Sequence, residues 1–410
     1  MKITSRRRFI QGTGLATFSA ALGLPVPFGR HLPAGLTPVA LAAEPAFGVI
    51  PGKRGVRVLS DRPINCETPV TLLDDDITPT HLHFVRNNGH VPARANSGDL
   101  TGWSLSIDGE VETPLKLSLA DVKKYPAVER ALVLECAGNG RAGFNPPTSG
   151  NQWTLGGVGC AKYRGVRLRD VLKDAGVKST AVYIGYYGED PHLSNDPKRQ
   201  AISRGVPIAK ALDEHTLLVW EMNGEPLPPL HGFPLRLICP GWPASTSGKW
   251  LTRIWVRDRE HDGEKMTGHS YRLPRYPVAP GATVPKEDMA IIEELPVKSL
   301  ITSPGTGVAH PLADELALRG HAWSGFGEVR EMHVSIDFGQ TWLKAALKQP
   351  VNKYAWQRWT ANVKFPVPGY YEVWARATDE AGHMQPMVVP GWNPQGYCNN
   401  AMQRIAVKVD

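Results

Sequence analysis

The stretch Ala131-Leu132-Val133-Leu134-Glu135-Cys136-Ala137-Gly138-Asn139-Gly140-Arg141 runs an apolar segment straight into a cysteine, a small-residue loop and a guanidinium. Ala131 to Leu134 reads as a buried strand, because a short continuous apolar run bounded by turn residues fits a strand covered on both faces. A thiol leaving that strand into a loop of small residues can be approached closely by a ligand, and Arg141 would favour its thiolate. An inert, buried cysteine beside a turn fits the same pattern.

Working outward, Leu217 to Trp220 is a second apolar run of strand length, and Trp103, Leu105 and Ile107 alternate with polar residues before Asp108-Gly109, a strand entering a hairpin turn. Helical signals are fewer. Ser118 with Asp121 opens a short helix by a capping pattern, and Leu168, Val171, Leu172 and Ala175 fall at helical spacing before Gly176 stops them. The first large domain, residues 43–291, is therefore mixed α and β. Beyond the Pro-rich stretch Leu273 to Pro285 the texture changes, from about residue 292. Val334 and Ile336 alternate with His333 and Ser335 ahead of an Asp337-Phe338-Gly339 turn; Tyr371, Val373, Ala375 and Ala377 alternate again, as do Ile405, Val407 and Val409. Strands with almost no helical period predict an immunoglobulin-like β-sandwich over residues 292–410. The fold class expected is α+β.

The length of 410 residues agrees with two folded domains at ~150 residues each. Its 41 Gly and 36 Pro favour many turns and short strands. The formal charge is +7, but residues 1–42 hold Lys2, Arg6, Arg7, Arg8 and Arg30 and no acid, which leaves 41 basic against 39 acidic residues. No nucleic-acid surface follows from that balance. Ser5-Arg6-Arg7-Arg8-Phe9-Ile10-Gln11, a weakly apolar run from Gly12 to Leu24 and the exit Ala40-Leu41-Ala42 have the layout of a twin-arginine export signal. That route carries folded proteins, so the expectation is a periplasmic protein exported with a cofactor already inserted.

Cys66, Cys136, Cys160, Cys239 and Cys398 are an odd number, so at least one stays unpaired. There is no C-x-x-C-H and no C-x-x-C, hence no haem is expected in this chain. His81-Leu82-His83 has a strand-like metal spacing without a third ligand nearby and reads as structural. His231, Arg236 and Lys249, in a Gly/Pro-rich region, either hold an anionic group such as phosphate or lie on the surface as solvated charges.

Phe84-Val85-Arg86-Asn87, Cys136 to Arg141, Glu221-Met222-Asn223-Gly224-Glu225-Pro226-Leu227-Pro228 through His231-Gly232-Phe233-Pro234-Leu235-Arg236, and Lys249-Trp250-Leu251 together resemble the sulfite oxidase family of molybdenum enzymes. Ala322-Trp323-Ser324-Gly325 and Trp392-Asn393-Pro394-Gln395-Gly396 to Asn400-Ala401 resemble that family's C-terminal dimerisation domain. The resemblance implies a molybdenum-molybdopterin cofactor with the Cys136 thiolate as the one protein ligand to the metal. It places Ala137 and Asn87 beside the cofactor and gives His231, Arg236 and Lys249 its phosphate. It assigns Arg86, Arg141 and Tyr271 to an oxyanion pocket with Trp153 as a wall. Asn88 stands where the family commonly has histidine, leaving that donor missing or supplied by His90. Glu328 and Val329 stand where it often has basic residues, which puts a substrate arginine from the second domain in doubt. The activity expected is haem-free sulfite dehydrogenation, with a separate c-type cytochrome as acceptor and a homodimer through the C-terminal domain. The alternatives are an oxotransferase reducing a sulfoxide or nitrate, and a non-catalytic molybdopterin-binding relic.

Overall fold

The computed structural model describes residues 25–33, 36–39 and 49–410. The twin-arginine motif and the small-residue exit lie outside these residues. The Cys136 stretch forms the end of the strand Ala127–Glu135, whose last four residues are buried and which pairs antiparallel with Val158–Arg167 over nine residue pairs. Leu217–Met222, the second apolar run, adds to the other edge of Val158–Arg167 and also carries Arg236–Ile238. Both expected runs are thus neighbours in one sheet, one strand apart.

A second five-stranded sheet has the order Leu115–Leu117, Leu105–Gly109, Leu251–Arg257, Tyr183–Gly188, Gly205–Pro207. Helix Leu168–Ala175 buries Leu168, Val171, Leu172 and Ala175 on one face against both sheets, because residues three and four apart stack on one side of a helix. Gly176 ends it in a left-handed conformation at φ 68°, donating its N–H to Lys173 O. At helix Leu119–Val122 the expected capping box is complete: Asp121 N–H donates to Ser118 Oγ at 3.1 Å and Ser118 N–H to Asp121 Oδ2 at 3.0 Å.

Strands beyond residue 298 pair only with one another, as a four-stranded sheet beginning at Lys298–Ser303 and a five-stranded sheet centred on Gly369–Asp379. Val334, Tyr371, Val373, Ala375, Ile405 and Val407 meet Ile301, Leu318 and Trp359 in the core between them. This is the expected sandwich.

Polar contacts tie the sandwich to the Cys136 strand. Glu135, 2% exposed at its side chain, accepts from Lys298 Nζ at 2.5 Å, Trp323 Nε1 at 2.8 Å and Asn139 Nδ2 at 3.0 Å. Cys398 N–H donates to Ala137 O at 2.9 Å, and Asn399 Nδ2 to Gly140 O at 2.8 Å. Part of the expected leader also lies on the sandwich. Val26, Phe28, Leu32 and Leu36 pack on Phe338, Trp374 and Met402, and Val39 N–H donates to Glu372 Oε1 at 2.9 Å.

Candidate active site

Cys136 is 5% exposed and lines a cavity holding about 670 Å³ of space free of protein atoms, including its opening to solvent. Its N–H donates to Gly157 O at 2.9 Å, fixing the end of the strand. The small residues after it have a steric reason. A Cβ on Gly138 would stand 2.5 Å from Arg141 Nη2, so the arginine can fold back over the loop only because position 138 is bare.

The deep end of the cavity concentrates positive charge. His231, Arg236 and Lys249 all line it, together with Ala137. Lys53 Nζ stands 2.6 Å from His231 Nε2 and donates to the carbonyls of Thr80 at 2.7 Å and His83 at 2.6 Å. Lys249 Nζ donates to Leu230 O at 3.0 Å and to Asn87 Oδ1. Against these stands one lining acid, Asp190, 8% exposed. Burial pushes Lys53 down to about 7 and His83 to about 3, pulls Lys249 and His231 well below their ordinary ranges, and lifts Asp190 to about 7. His83 Nε2, Asn87 Nδ2 and Arg236 Nε are buried without a hydrogen-bond partner. A desolvated cluster of cations and unmet polar groups with so little countercharge fits a bound anion such as a phosphate.

A second cavity opens outward from the first. Arg86, Asn88 and Tyr271 line both, and the outer one adds Arg141 from the cysteine loop with Gln395 and Tyr397 from the second domain. Arg141 donates Nε to Gln395 O at 2.8 Å and Nη1 to Asn151 O at 2.9 Å. Arg86 Nη2 donates to Asn88 Oδ1 at 3.0 Å. The three residues expected in an oxyanion pocket therefore do converge, at the mouth of the cavity that holds Cys136.

Other expectations change. Trp153 lines neither cavity; it is fully buried behind Phe84, edge-on with ring centroids 6.1 Å apart, so Phe84 is the wall and Trp153 its backing. His90 lines neither, so Asn88 itself faces the site where a histidine was expected. His83, read as structural, lines the deep cavity with its ring perpendicular to His231, centroids 5.3 Å apart. Among the described residues no group of three His, Cys, Asp or Glu stands together as a metal site. The second domain reaches the mouth through Gln395 and Tyr397, with Glu328 outside it. Lys53, Asp190 and Tyr397 were missed altogether. Each is a single residue in an ordinary context, and only the positive balance of the other cavity residues could have prompted a search for Asp190. All five cysteines are free; burial pushes Cys160 and Cys239 up to about 12, which keeps both as inert thiols.

Residues 88–265 match the oxidoreductase molybdopterin binding domain and residues 289–410 the Mo-co oxidoreductase dimerisation domain. The chain is 35% identical to the sulfite oxidase of Gallus gallus over 376 residues, covering 88% of this chain and 80% of that one. It is 34% identical to the mitochondrial sulfite oxidase of Rattus norvegicus over 372 residues, 86% of this chain and 66% of the rat protein, just under two thirds of its length. Nitrate reductase [NADH] 1 of Oryza sativa subsp. japonica is 33% identical, covering 86% of this chain and 41% of its own. Among solved structures, the sulfane dehydrogenase SoxCD from Paracoccus pantotrophus superposes with a TM-score of 0.70 at 26% identity, covering 94% of this chain and 97% of that one.

Proposed function

Given that the chain belongs to the sulfite oxidase family of molybdenum-molybdopterin oxidoreductases, we propose that it oxidises sulfite to sulfate and passes the electrons to a separate c-type cytochrome. The observation that carries this reading is the pair of joined cavities, a buried cationic one holding Cys136 and an outer one where Arg86, Arg141 and Tyr271 converge. His231, Arg236 and Lys249 would hold the phosphate of molybdopterin, Asn87 and Ala137 would lie beside it, and the Cys136 thiolate would bind molybdenum, a soft ligand for a redox-cycling metal. When bound, the group supplies the two-electron couple and the oxygen-atom transfer chemistry.

The protein's part is to bind and orient. Sulfite, a small oxyanion, would be drawn to the mouth by Arg86 and Arg141 and steadied by the Tyr271 hydroxyl. Phe84, backed by Trp153, limits the space beside Cys136. The overall change is sulfite plus water to sulfate, two protons and two electrons, and the electrons leave singly to the cytochrome. Export by the twin-arginine route to the periplasm, and a homodimer through residues 292–410, complete the reading.

The test is molybdenum content together with sulfite:cytochrome c turnover on the exported protein, beside reduced dye with nitrate or a sulfoxide, and a sulfane donor with cytochrome c. Molybdenum-loaded protein that ignores sulfite but turns over nitrate, a sulfoxide or the sulfane donor would overturn the assignment. Native protein without molybdenum would favour the non-catalytic alternative.

A further inference from the structure

Tyr271 holds a left-handed backbone conformation at φ 52°, one that aromatic residues seldom adopt. Such a conformation persists only where its surroundings over-determine it, and such positions cluster at functional sites. Here the surroundings are a stack of four side chains. The guanidinium of Arg204 lies over the Tyr271 ring at 4.6 Å; Tyr271 stacks on Tyr397 with centroids 5.4 Å apart and planes 10° from parallel; Arg141 lies over Tyr397 at 5.2 Å. Two rings are flanked by two cations, and the stack crosses from the first domain to the second.

Arg204 is the tier without an evident structural purpose. It is 1% exposed, forms no ion pair among the described residues, and leaves Nε without a hydrogen-bond partner. Its Nη1 donates to Ser245 Oγ at 2.7 Å, and Ser245 lines the deep cavity. A buried, uncompensated guanidinium works against folding, so a purely structural site would do better with an apolar side chain of the same length. What it does provide is a positive charge against the Tyr271 ring, in addition to that of Arg141 on Tyr397.

We propose that Arg204 is a positioning residue of the anion chamber, clamping Tyr271 against Tyr397 and adding its charge to the field that binds the substrate oxyanion. This deepens the functional reading above and rests on it for the identity of the substrate. Arg204 does not itself line either cavity; it acts through Tyr271 and Ser245.

The experiment compares the molybdenum-loaded protein with its Arg204→Met and Arg204→Lys variants, by calorimetric binding of sulfate, by sulfite kinetics and by thermal unfolding. In Arg204→Met the sulfate Kd should rise at least about fivefold and KM for sulfite about tenfold, with kcat within about twofold. Its Tm should stay level or increase, the reverse of what loss of a structural contact gives. Arg204→Lys loses the planar stack on Tyr271 and, at so buried a position, much of its charge, so its sulfate Kd should also rise, by no more than in Arg204→Met. Unchanged sulfate binding in Arg204→Met, or weaker binding accompanied by a fall in Tm and in kcat of the same size, would overturn the proposal. Parent protein that binds sulfate but oxidises no sulfite would remove the substrate assignment, while weaker sulfate binding in Arg204→Met would still uphold Arg204. Parent protein that binds no sulfate would overturn both.

Discussion

The deep cavity and its mouth share Arg86, Asn88 and Tyr271, yet they treat positive charge in opposite ways. In and beside the deep cavity donors are left unmet: Arg236 Nε, Asn87 Nδ2 and His83 Nε2 have no partner, and burial pushes Lys53 and Lys249 toward their neutral forms. At the mouth the guanidinium of Arg141 is held through Nε and Nη1 by the carbonyls of Gln395 and Asn151, neutral partners that do not cancel its charge. The difference separates a resident from a visitor. A desolvated cluster with unmet donors gains most from an anion that stays, whereas donors that already have neutral partners can bind and release an oxyanion without leaving a buried group unsatisfied.

The largest effect should come at Cys136, which lines the deep cavity and is the proposed metal ligand. Cys136→Ser should lower turnover at least ~10³-fold while the fold survives, because a hard hydroxyl cannot stand in for the thiolate and the volume change is small. Cys160→Ser should be mild by comparison, and equal loss of activity in both variants would break the assignment of Cys136 to the cavity chemistry.

Next in size is the brace between the domains. Lys298→Met leaves Glu135 buried without its cation, which should cost about 3–5 kcal/mol in chemical denaturation. A loss below about 1 kcal/mol would mean that Trp323 and Asn139 alone hold the carboxylate.

The resident anion can be tested by pH. Lys53 is held at about 7 when folded, against ~10.4 in an unfolded chain, so between those values the folded state binds fewer protons. Stability of the cofactor-free protein should therefore rise from pH 7 toward 10, on the order of 4 kcal/mol from Lys53, with Lys249 acting in the same direction, and fall back as the pH is lowered again. A bound phosphate would return the proton to Lys53 and flatten that rise. Urea unfolding of cofactor-free and cofactor-loaded protein at several pH values measures both slopes; equal slopes would place the anion elsewhere.

The smallest effect concerns the visitor. Arg141→Gln should raise KM for sulfite about tenfold or more at normal molybdenum content, and weaken competitive inhibition by sulfate. A fall in metal content with KM unchanged would make Arg141 a support of the Cys136 loop and erase the distinction between the two cavities.

By itself the sequence determined the local structure and the chemistry within each motif. The strand ending at Glu135, the Ser118 capping box, the helix stopped by Gly176 and the alternating strands of the sandwich all follow from short-range rules of periodicity and end-capping. Cys136, Arg86, Arg141, His231, Arg236 and Lys249 were found because they stand in recognisable runs. What only the tertiary structure decided is which remote residues enter those runs' company. Lys53 lies 178 residues before His231 and touches it; Tyr397 lies 126 residues after Tyr271 and stacks on it; Trp153 sits one layer behind the wall it was expected to form. The physical reason is that a side chain's charge state and role depend on its desolvation and on its neighbours in space, and neither is written in the residues adjacent to it along the chain.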